Sequence, residues 1–218
     1  MGCSSCNTSN LPNGCKSNGY CLTQRCNQKT TLDLLSNINK VNSKKNKLVE
    51  VSFKNGRKSF YKSNNLELKI GQKVVVEAEN GFDIGMISLS GELVTIQMKL
   101  YKKKEASFKI IRVANQKDIN TWLKFIKEEN EILLKSRSIT KTLQLNMKIS
   151  DIEFQADGQK INFYYLANTR VDFRELIKIL AKEFKSRIQM VQIGTRQESA
   201  KLGGIGDCGR ELCCSTWI

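Results

Sequence analysis

The chain has 218 residues, of which 40% are apolar and 26% are charged, and its 36 basic and 21 acidic side chains give a net charge of +15. This apolar content is enough for one large or two small globular domains. No apolar run approaches the roughly 20 residues that span a bilayer, and the first residues lack a secretory pattern. We therefore expect a cytoplasmic protein without membrane insertion.

The chain contains no histidine. This removes the commonest general base near neutral pH and every zinc pattern that mixes cysteine with histidine. The sequence also lacks the Gly-x-x-x-x-Gly-Lys-Ser/Thr pattern of a phosphate-binding loop. We expect a protein that is not an enzyme and whose metal sites are built from thiolates.

Residues 1–30 form a cysteine-rich head that is rich in Ser, Asn and Gly. It holds almost no large apolar side chain, so hydrophobic burial alone cannot order it. Its cysteines are Cys3, Cys6, Cys15, Cys21 and Cys26. One Cys-x2-Cys pair followed by irregular gaps fits a small zinc site, an auxiliary set of cluster ligands, or unbound thiols in a tail. Residues 31–47 are predicted as a short amphipathic helix and a basic linker.

Residues 48–113 alternate apolar and polar side chains, which is typical of half-buried strands. The clearest runs are residues 49–53 and residues 94–100. Asn80-Gly81 favours a tight hairpin, and Gly85 is interpreted as a further turn or bulge. Five or six short strands of this kind predict a small β-barrel-like domain.

A basic run lies in the second half of that domain, which we place after the last barrel strand. It consists of Lys99, Lys102, Lys103 and Lys104 around Tyr101. Such a run can hold phosphates of RNA, although it is more often a solvated loop. Contact with RNA is therefore a hypothesis from charge alone.

Residues 114–194 change to helical spacing and then back to strands. The pattern predicts a long helix over residues 115–138, a hairpin of residues 148–156 and 160–166, a helix that opens near Asp172 and a last strand over residues 187–193. The fold class is therefore α+β, with a barrel followed by an αββαβ unit.

Residues 195–218 form a segment rich in glycine and cysteine that contains Cys208, Cys213 and Cys214. Its glycines let the backbone turn sharply enough for thiolates to approach one centre. Adjacent cysteines fit the Cys-x2-Cys pattern of zinc sites poorly, and a closed cluster usually takes four ligands. Inert cysteines in the loop and redox chemistry at Cys213-Cys214 are the alternatives.

Several segments together carry a family resemblance. Residues 203–217, GGIGDCGRELCCSTW, together with residues 171–176, VDFREL, and residues 192–194, QIG, closely resemble the YaaT/RicT family, whose members have a polymerase-suppressor C-terminal homology domain. The resemblance covers residues 48–218. The head resembles family members from the Bacteroidetes.

The resemblance implies a non-catalytic bacterial regulatory subunit. Such a subunit joins small RicA- and RicF-like proteins in a complex that carries [4Fe–4S] clusters and modulates RNase Y-dependent mRNA processing and maturation, by direct or indirect contact. It also implies that Cys208, Cys213 and Cys214 are cluster ligands. Family members continue to a second Cys-Gly-x-x-x-Cys-Cys motif, whereas this sequence ends at Ile218, so we expect further ligands outside it.

Two other functions remain open from the residues themselves. One is a basic RNA-binding module with structural zinc. The other is a thiol-redox protein that uses Cys213-Cys214 without iron.

Overall fold

The computed structural model describes residues 48–54, 57–64, 66, 68–101 and 108–216. Within this part, the chain divides into two compact units, one ending at Ala114 and the other beginning at Asn115. The predictions for residues 1–47 lie outside the described residues. None of the described helices is both long and apolar enough to cross a membrane.

The first unit is built mainly from five strands. Its elements are β1 (Leu48–Ser52), β2 (Lys58–Lys62), β3 (Lys73–Ala78), β4 (Gly81–Ser90), α1 (Glu92–Leu100) and β5 (Phe108–Val113). The strands close into a barrel in the order β1-β2-β5-β3-β4, because β1 also pairs with β4. The β2–β5 pair is parallel and the others are antiparallel. The apolar side chains of one cluster fill it, among them Val51, Val74 and Ile110.

The prediction of a strand over residues 94–100 is wrong, because these residues form α1. Val94 and Met98 are buried, whereas Ile96 and Leu100 are 51% and 71% exposed. Residues four apart share one face of a helix, so a period-two apolar run also contains a helical pair. The buried pair packs with Phe60 and Leu89 in a second apolar cluster.

Two glycines of β4 have different roles. Ala78 pairs with Gly81, so the predicted β3–β4 hairpin is present and Gly81 adopts a φ of +102°. Gly85 lies inside β4 and is neither a turn nor a bulge in its pairing with β3. A Cβ atom on Gly85 would overlap Val51 Cγ1 and would approach Phe53 Cε1 to 2.9 Å. Glycine is needed here because β1 and β4 approach closely at this point.

A charged pair is buried in the first unit. The side chain of Glu50 is 0% exposed, and its Oε1 lies 3.1 Å from Lys58 Nζ. Ser88 Oγ donates a hydrogen bond of 2.7 Å to the same oxygen. Glu50 Oε2 has no hydrogen-bond partner in the described part of the chain. Desolvation of this carboxylate is thus offset by one cation and one hydroxyl.

The second unit combines helices with a three-stranded sheet. Its elements are α2 (Gln116–Thr142), β6 (Lys148–Phe154), β7 (Lys160–Leu166), α3 (Arg174–Phe184), β8 (Arg187–Gln192), α4 (Thr195–Leu202) and α5 (Cys213–Thr216). The sheet order is β6-β7-β8, with β6 antiparallel and β8 parallel to β7. The predicted mixture of helices and sheets is confirmed. Residues 195–202, predicted as part of the glycine- and cysteine-rich segment, instead form α4.

The core of the second unit lies between its sheet and its helices. Fully or nearly fully buried residues from β6, β7 and α3 form it, including Ile152, Phe163 and Leu180. Side chains of α2, such as Phe125 and Ile132, pack against this cluster. The helical spacing of these apolar residues explains why the sequence predicts both long helices of the unit.

Helix α2 also caps the outer edge of β6. Glu129 Oε1 accepts a hydrogen bond of 3.2 Å from the Phe154 amide. Two turns later, Arg137 donates to the carbonyl oxygens of Ile149 at 2.8 Å and Ser150 at 3.1 Å. The register of β6 shifts between Ile149 and Asp151. Capping side chains and an irregular register are both devices that prevent a further strand from joining a sheet edge.

We predict that Gly85→Ala destabilises the barrel by about 1–3 kcal/mol, because the added methyl group overpacks the contact with Val51 and Phe53. Hydrogen exchange of the β3 and β4 amides measures this change within the first unit. The control is Gly194→Ala, since a Cβ there meets no atom within 4 Å and the φ of Gly194 is −80°. Equal protection in both variants would contradict the close approach of β1 and β4.

We predict that Lys58→Met lowers the free energy of unfolding of the barrel by about 3–5 kcal/mol, because it leaves the buried Glu50 carboxylate without a cation. The control is Lys135→Met in α2, where Lys135 Nζ pairs with Glu131 Oε1 at 3.0 Å on an exposed surface. The hydrogen bond that Lys135 donates to Glu131 raises the pKa of Lys135, yet we expect no measurable loss of stability there. A barrel that tolerates Lys58→Met equally well would show that the buried pair adds nothing to stability.

Candidate functional site

The cysteine segment folds into a small hairpin after α4. Ile205 and Glu211 form an isolated antiparallel bridge. The Gly206 amide donates to the Arg210 carbonyl at 2.8 Å, and the Leu212 amide donates to the Gly204 carbonyl at 3.0 Å. These backbone bonds close the hairpin.

Cys208 lies in the turn of this hairpin. The Gly209 amide donates to the Gly206 carbonyl at 2.9 Å, and Gly209 has a φ of +73°. A non-glycine residue is strained in that conformation. Cys208 is exposed, and its sulfur lies 3.7 Å from the position that a Cβ on Gly206 would occupy. The thiol therefore folds back over the glycine backbone while remaining accessible to solvent.

Cys213 and Cys214 open the short helix α5. Cys213 is exposed and Cys214 is half-buried. The Ser215 amide donates to the Leu212 carbonyl at 2.9 Å, and the Ser215 side chain is only 2% exposed. Ser215 Oγ has no hydrogen-bond partner among the described residues. Ser215 thus lies on the buried side of α5, and the two thiols lie nearer its outer side.

Helix α4 connects the hairpin to the sheet of the second unit. Lys148 Nζ at the start of β6 lies 3.1 Å from Glu198 Oε1, and the Glu198 side chain is mostly buried. Helix α4 ends when the Gly203 amide donates to the Ser199 carbonyl at 2.9 Å. Helix α4 also contacts α5. The cysteines are therefore carried by a segment that is attached to a packed core.

The structure does not gather the three thiols into a finished metal site. In the described ranges, no three side chains of His, Cys, Asp or Glu are grouped so that they could hold a metal ion. The cysteines of the head, Cys3, Cys6, Cys15, Cys21 and Cys26, lie outside the described residues. Assignment of the three C-terminal thiols as ligands therefore stays a prediction, and it requires the hairpin to close around the metal.

The donor chemistry of the hairpin nevertheless fits a soft metal centre. Thiolates are the ligands that zinc and iron–sulfur clusters prefer. Cys208 and Cys213 are open to solvent, so a metal can reach them without unfolding of the core. Arg210 follows in the same turn and would offset part of the thiolate charge.

The basic run lies in a different place from the one predicted. Lys99 is exposed in the last turn of α1, and Tyr101, which follows the helix, is also exposed. Because β5 follows and joins the barrel, the run precedes the last strand rather than following it. Lys102, Lys103 and Lys104 lie outside the described residues.

Comparison with known proteins shows which proteins the chain resembles. Residues 108–193 match the PSP1 C-terminal conserved region. The chain is 38% identical over 176 residues to the stage 0 sporulation protein YaaT of Bacillus subtilis. The chain thus carries the PSP1 C-terminal conserved region and is similar to YaaT over most of its own length.

Two fungal proteins are also similar. One is an uncharacterized protein of Schizosaccharomyces pombe, 29% identical over 195 residues, and the other is the protein PSP1 of Saccharomyces cerevisiae, 50% identical over 50 residues. The matches cover 78%, 77% and 23% of this chain in the order given, and 61%, 26% and 6% of the relatives. The chain thus spans about three fifths of the length of YaaT. No solved structure matches the chain.

Sequence reasoning missed the residues that support the cysteines. Glu198 and Lys148 are 50 positions apart, so no local pattern pairs them. Leu212 lies against Gly204, where a Cβ would approach Leu212 Cδ1 to 3.4 Å. The glycines were the available signal, and they indicated a tight loop without indicating its partners.

We predict that Gly209→Ala opens the hairpin turn, because alanine at a φ of +73° is disfavoured by about 1–2 kcal/mol. Faster exchange of the Gly206 and Leu212 amides measures the opening. Gly206→Ala is the matched control, since its Cβ would make only ordinary contacts with Arg210 and Cys208. Unchanged exchange in the Gly209 variant would show that the turn does not need a left-handed residue.

Proposed function

We propose that the chain is a non-catalytic regulatory subunit of a cytoplasmic bacterial complex and that Cys208, Cys213 and Cys214 help to bind an iron–sulfur cluster, of the [4Fe–4S] type. The supporting observation is the accessible thiol hairpin on a chain that is similar to YaaT. The complex would contain small RicA- and RicF-like proteins. It would modulate RNase Y-dependent mRNA processing and maturation, by direct or indirect contact with the nuclease.

The thiol set favours an iron–sulfur cluster over a zinc knuckle. Cys213 and Cys214 are adjacent, whereas structural zinc sites usually use cysteines separated by two residues. A four-iron cluster takes four cysteines, so the three of the hairpin need at least one more. The head cysteines or residues of a partner subunit would supply it, and the head could alternatively hold zinc.

The conformation of the hairpin would change when a cluster binds. An iron–sulfur cluster, when bound, supplies electron transfer and sensitivity to oxidants. The chain's part is to present three thiolates, to lower their mutual repulsion through Arg210, and to change shape at its glycines as they converge. Since metal binding is coupled to the folding of its ligands, loading would order the surface around α5 and alter what partner proteins contact.

The net charge of +15 would attract RNA to the complex. Lys99 and the ring of Tyr101 are both exposed at the end of α1. Surfaces that bind single-stranded RNA commonly combine basic side chains with exposed aromatic rings. We include RNA contact at the run from Lys99 to Lys104 in the proposal as a secondary property.

We predict that Cys208→Ser, Cys213→Ser and Cys214→Ser each lower bound iron and sulfide to less than half of the wild-type amount, because each removes one of the few ligands. The full-length gene product is purified anaerobically, and iron, sulfide and zinc are assayed together. Asp207→Asn is the control, because it changes the same turn without removing a thiol.

The other outcomes discriminate between functions. Zinc without iron would replace the proposal with an RNA-binding module that has structural zinc. Neither metal, together with a Cys213-Cys214 pair that is oxidised and reduced reversibly, would favour a thiol-redox protein. Wild-type iron in all three serine variants would remove the hairpin from the ligand set.

A further inference from the structure

The two edges of the sheet in the second unit differ in their protection. The β6 edge is capped by Glu129 and Arg137 and has an irregular register. Strand β8, at the other edge, runs in unbroken parallel register with β7 from Arg187 to Gln192. It contains no proline. Among the described strands, none pairs with its outer side.

The direction of the β8 backbone groups follows from its hydrogen bonds. The Arg187 amide donates to the Gln159 carbonyl at 2.8 Å, and the Ile193 amide donates to the Tyr165 carbonyl at 2.9 Å. Odd-numbered residues therefore bond to β7, and the amide and carbonyl groups of Ile188, Met190 and Gln192 point outward. Along a strand these outward groups repeat about every 6.6 Å. This row is a template for one more strand.

The side chains beside this edge indicate which segment would fit. Ile188 and Met190 are half-buried and pack against the core cluster on the helix side of the sheet. Apolar residues at alternate positions of an added strand would extend that core. Such alternate-residue contacts provide specificity in strand addition, while the backbone bonds provide affinity.

The residues that lie near β8 in the sequence carry mainly positive charge. Residues 178–196 contain five basic side chains and one acidic side chain: Lys178, Lys182, Lys185, Arg187, Arg196 and Glu183. All five basic side chains are exposed. A second copy of this chain would bring the same cations against one another, on a protein whose net charge is already +15. An acidic segment of another protein would be attracted instead.

We propose that the outer edge of β8 binds an extended acidic segment of a partner protein by strand addition, with apolar residues at alternate positions against Ile188 and Met190. This binding surface is separate from the thiol hairpin, and it goes beyond the proposed metal function. It needs no metal, so its failure and the failure of iron binding are distinguishable.

The test uses the full chain and a defined probe, the ten-residue peptide acetyl-(Val-Glu)5-amide. We expect saturable binding that slows exchange of the Ile188, Met190 and Gln192 amides. The matched peptide acetyl-(Val-Lys)5-amide should not bind. A third peptide is acetyl-(Val-Glu)5-amide with N-methyl groups on every second residue, at the amides that would face β8. It should not bind either, because those amides can no longer donate hydrogen bonds to β8.

Charge-reversal variants test the rim of the edge. Lys185→Glu with Arg196→Glu should weaken binding of the glutamate peptide about tenfold, through the loss of attraction at both ends of β8. Lys124→Glu with Lys127→Glu on α2 is the control with the same change in net charge and should have little effect. Both pairs are exposed, so we expect the variants to fold.

Four results would overturn the proposal: no binding of the glutamate peptide, equal binding of the lysine or N-methylated peptide, equal weakening by both variant pairs, or protection of amides elsewhere with none in β8. A fifth result would come from light scattering, which measures the oligomeric state of the chain. A dimer of the chain that Met190→Pro abolishes would assign the edge to a second copy rather than to an acidic partner.

Discussion

The placement of α2 along β6 is the constraint on which the second unit depends. Glu129 and Arg137 bind backbone groups at opposite ends of β6, so the helix and the strand are fixed in direction and in register. β7 pairs with β6, and β8 then pairs with β7. Helix α4 follows β8, and its Glu198 forms an ion pair with Lys148 at the start of β6. The thiol hairpin follows α4, so its position also depends on how α2 and β6 are placed. Glu129 is buried, and a buried carboxylate is tolerated only when it has a hydrogen-bond partner.

The sequence predicts the second unit better than the first, for a physical reason. Helix α2 is long, and its apolar residues repeat at one period over many turns, so no other structure fits them. Helix α1 has nine residues. In such a short run, the alternating residues Val94, Ile96, Met98 and Leu100 also contain pairs four residues apart, which fit a helix. The choice between strand and helix depends on Phe60 and Leu89, which lie elsewhere in the barrel. Local patterns cannot include that contact.

The candidate site was likewise predictable only in part. Cysteine and glycine types are local information, and they indicated a tight thiol-bearing loop around Cys208, Cys213 and Cys214. Whether the sulfur atoms converge depends on ligands and partners that local spacing does not contain. The sequence also does not reveal the buried pair of Glu50 and Lys58. Charged residues in a strand pattern normally face water. Tertiary pairing reverses that expectation only once the barrel has closed.

The family region and the structural units have different borders. The PSP1 C-terminal conserved region starts at Phe108, which is the first residue of β5. Yet β5 belongs to the barrel, where it lies between β2 and β3. A gene fragment that begins at Phe108 would remove β5 from the barrel. The fragment itself would then carry β5 as an unpaired strand. Open strand edges of this kind recruit other chains and cause aggregation. The compact unit therefore begins at Asn115, after β5, whereas the family region begins with β5 itself.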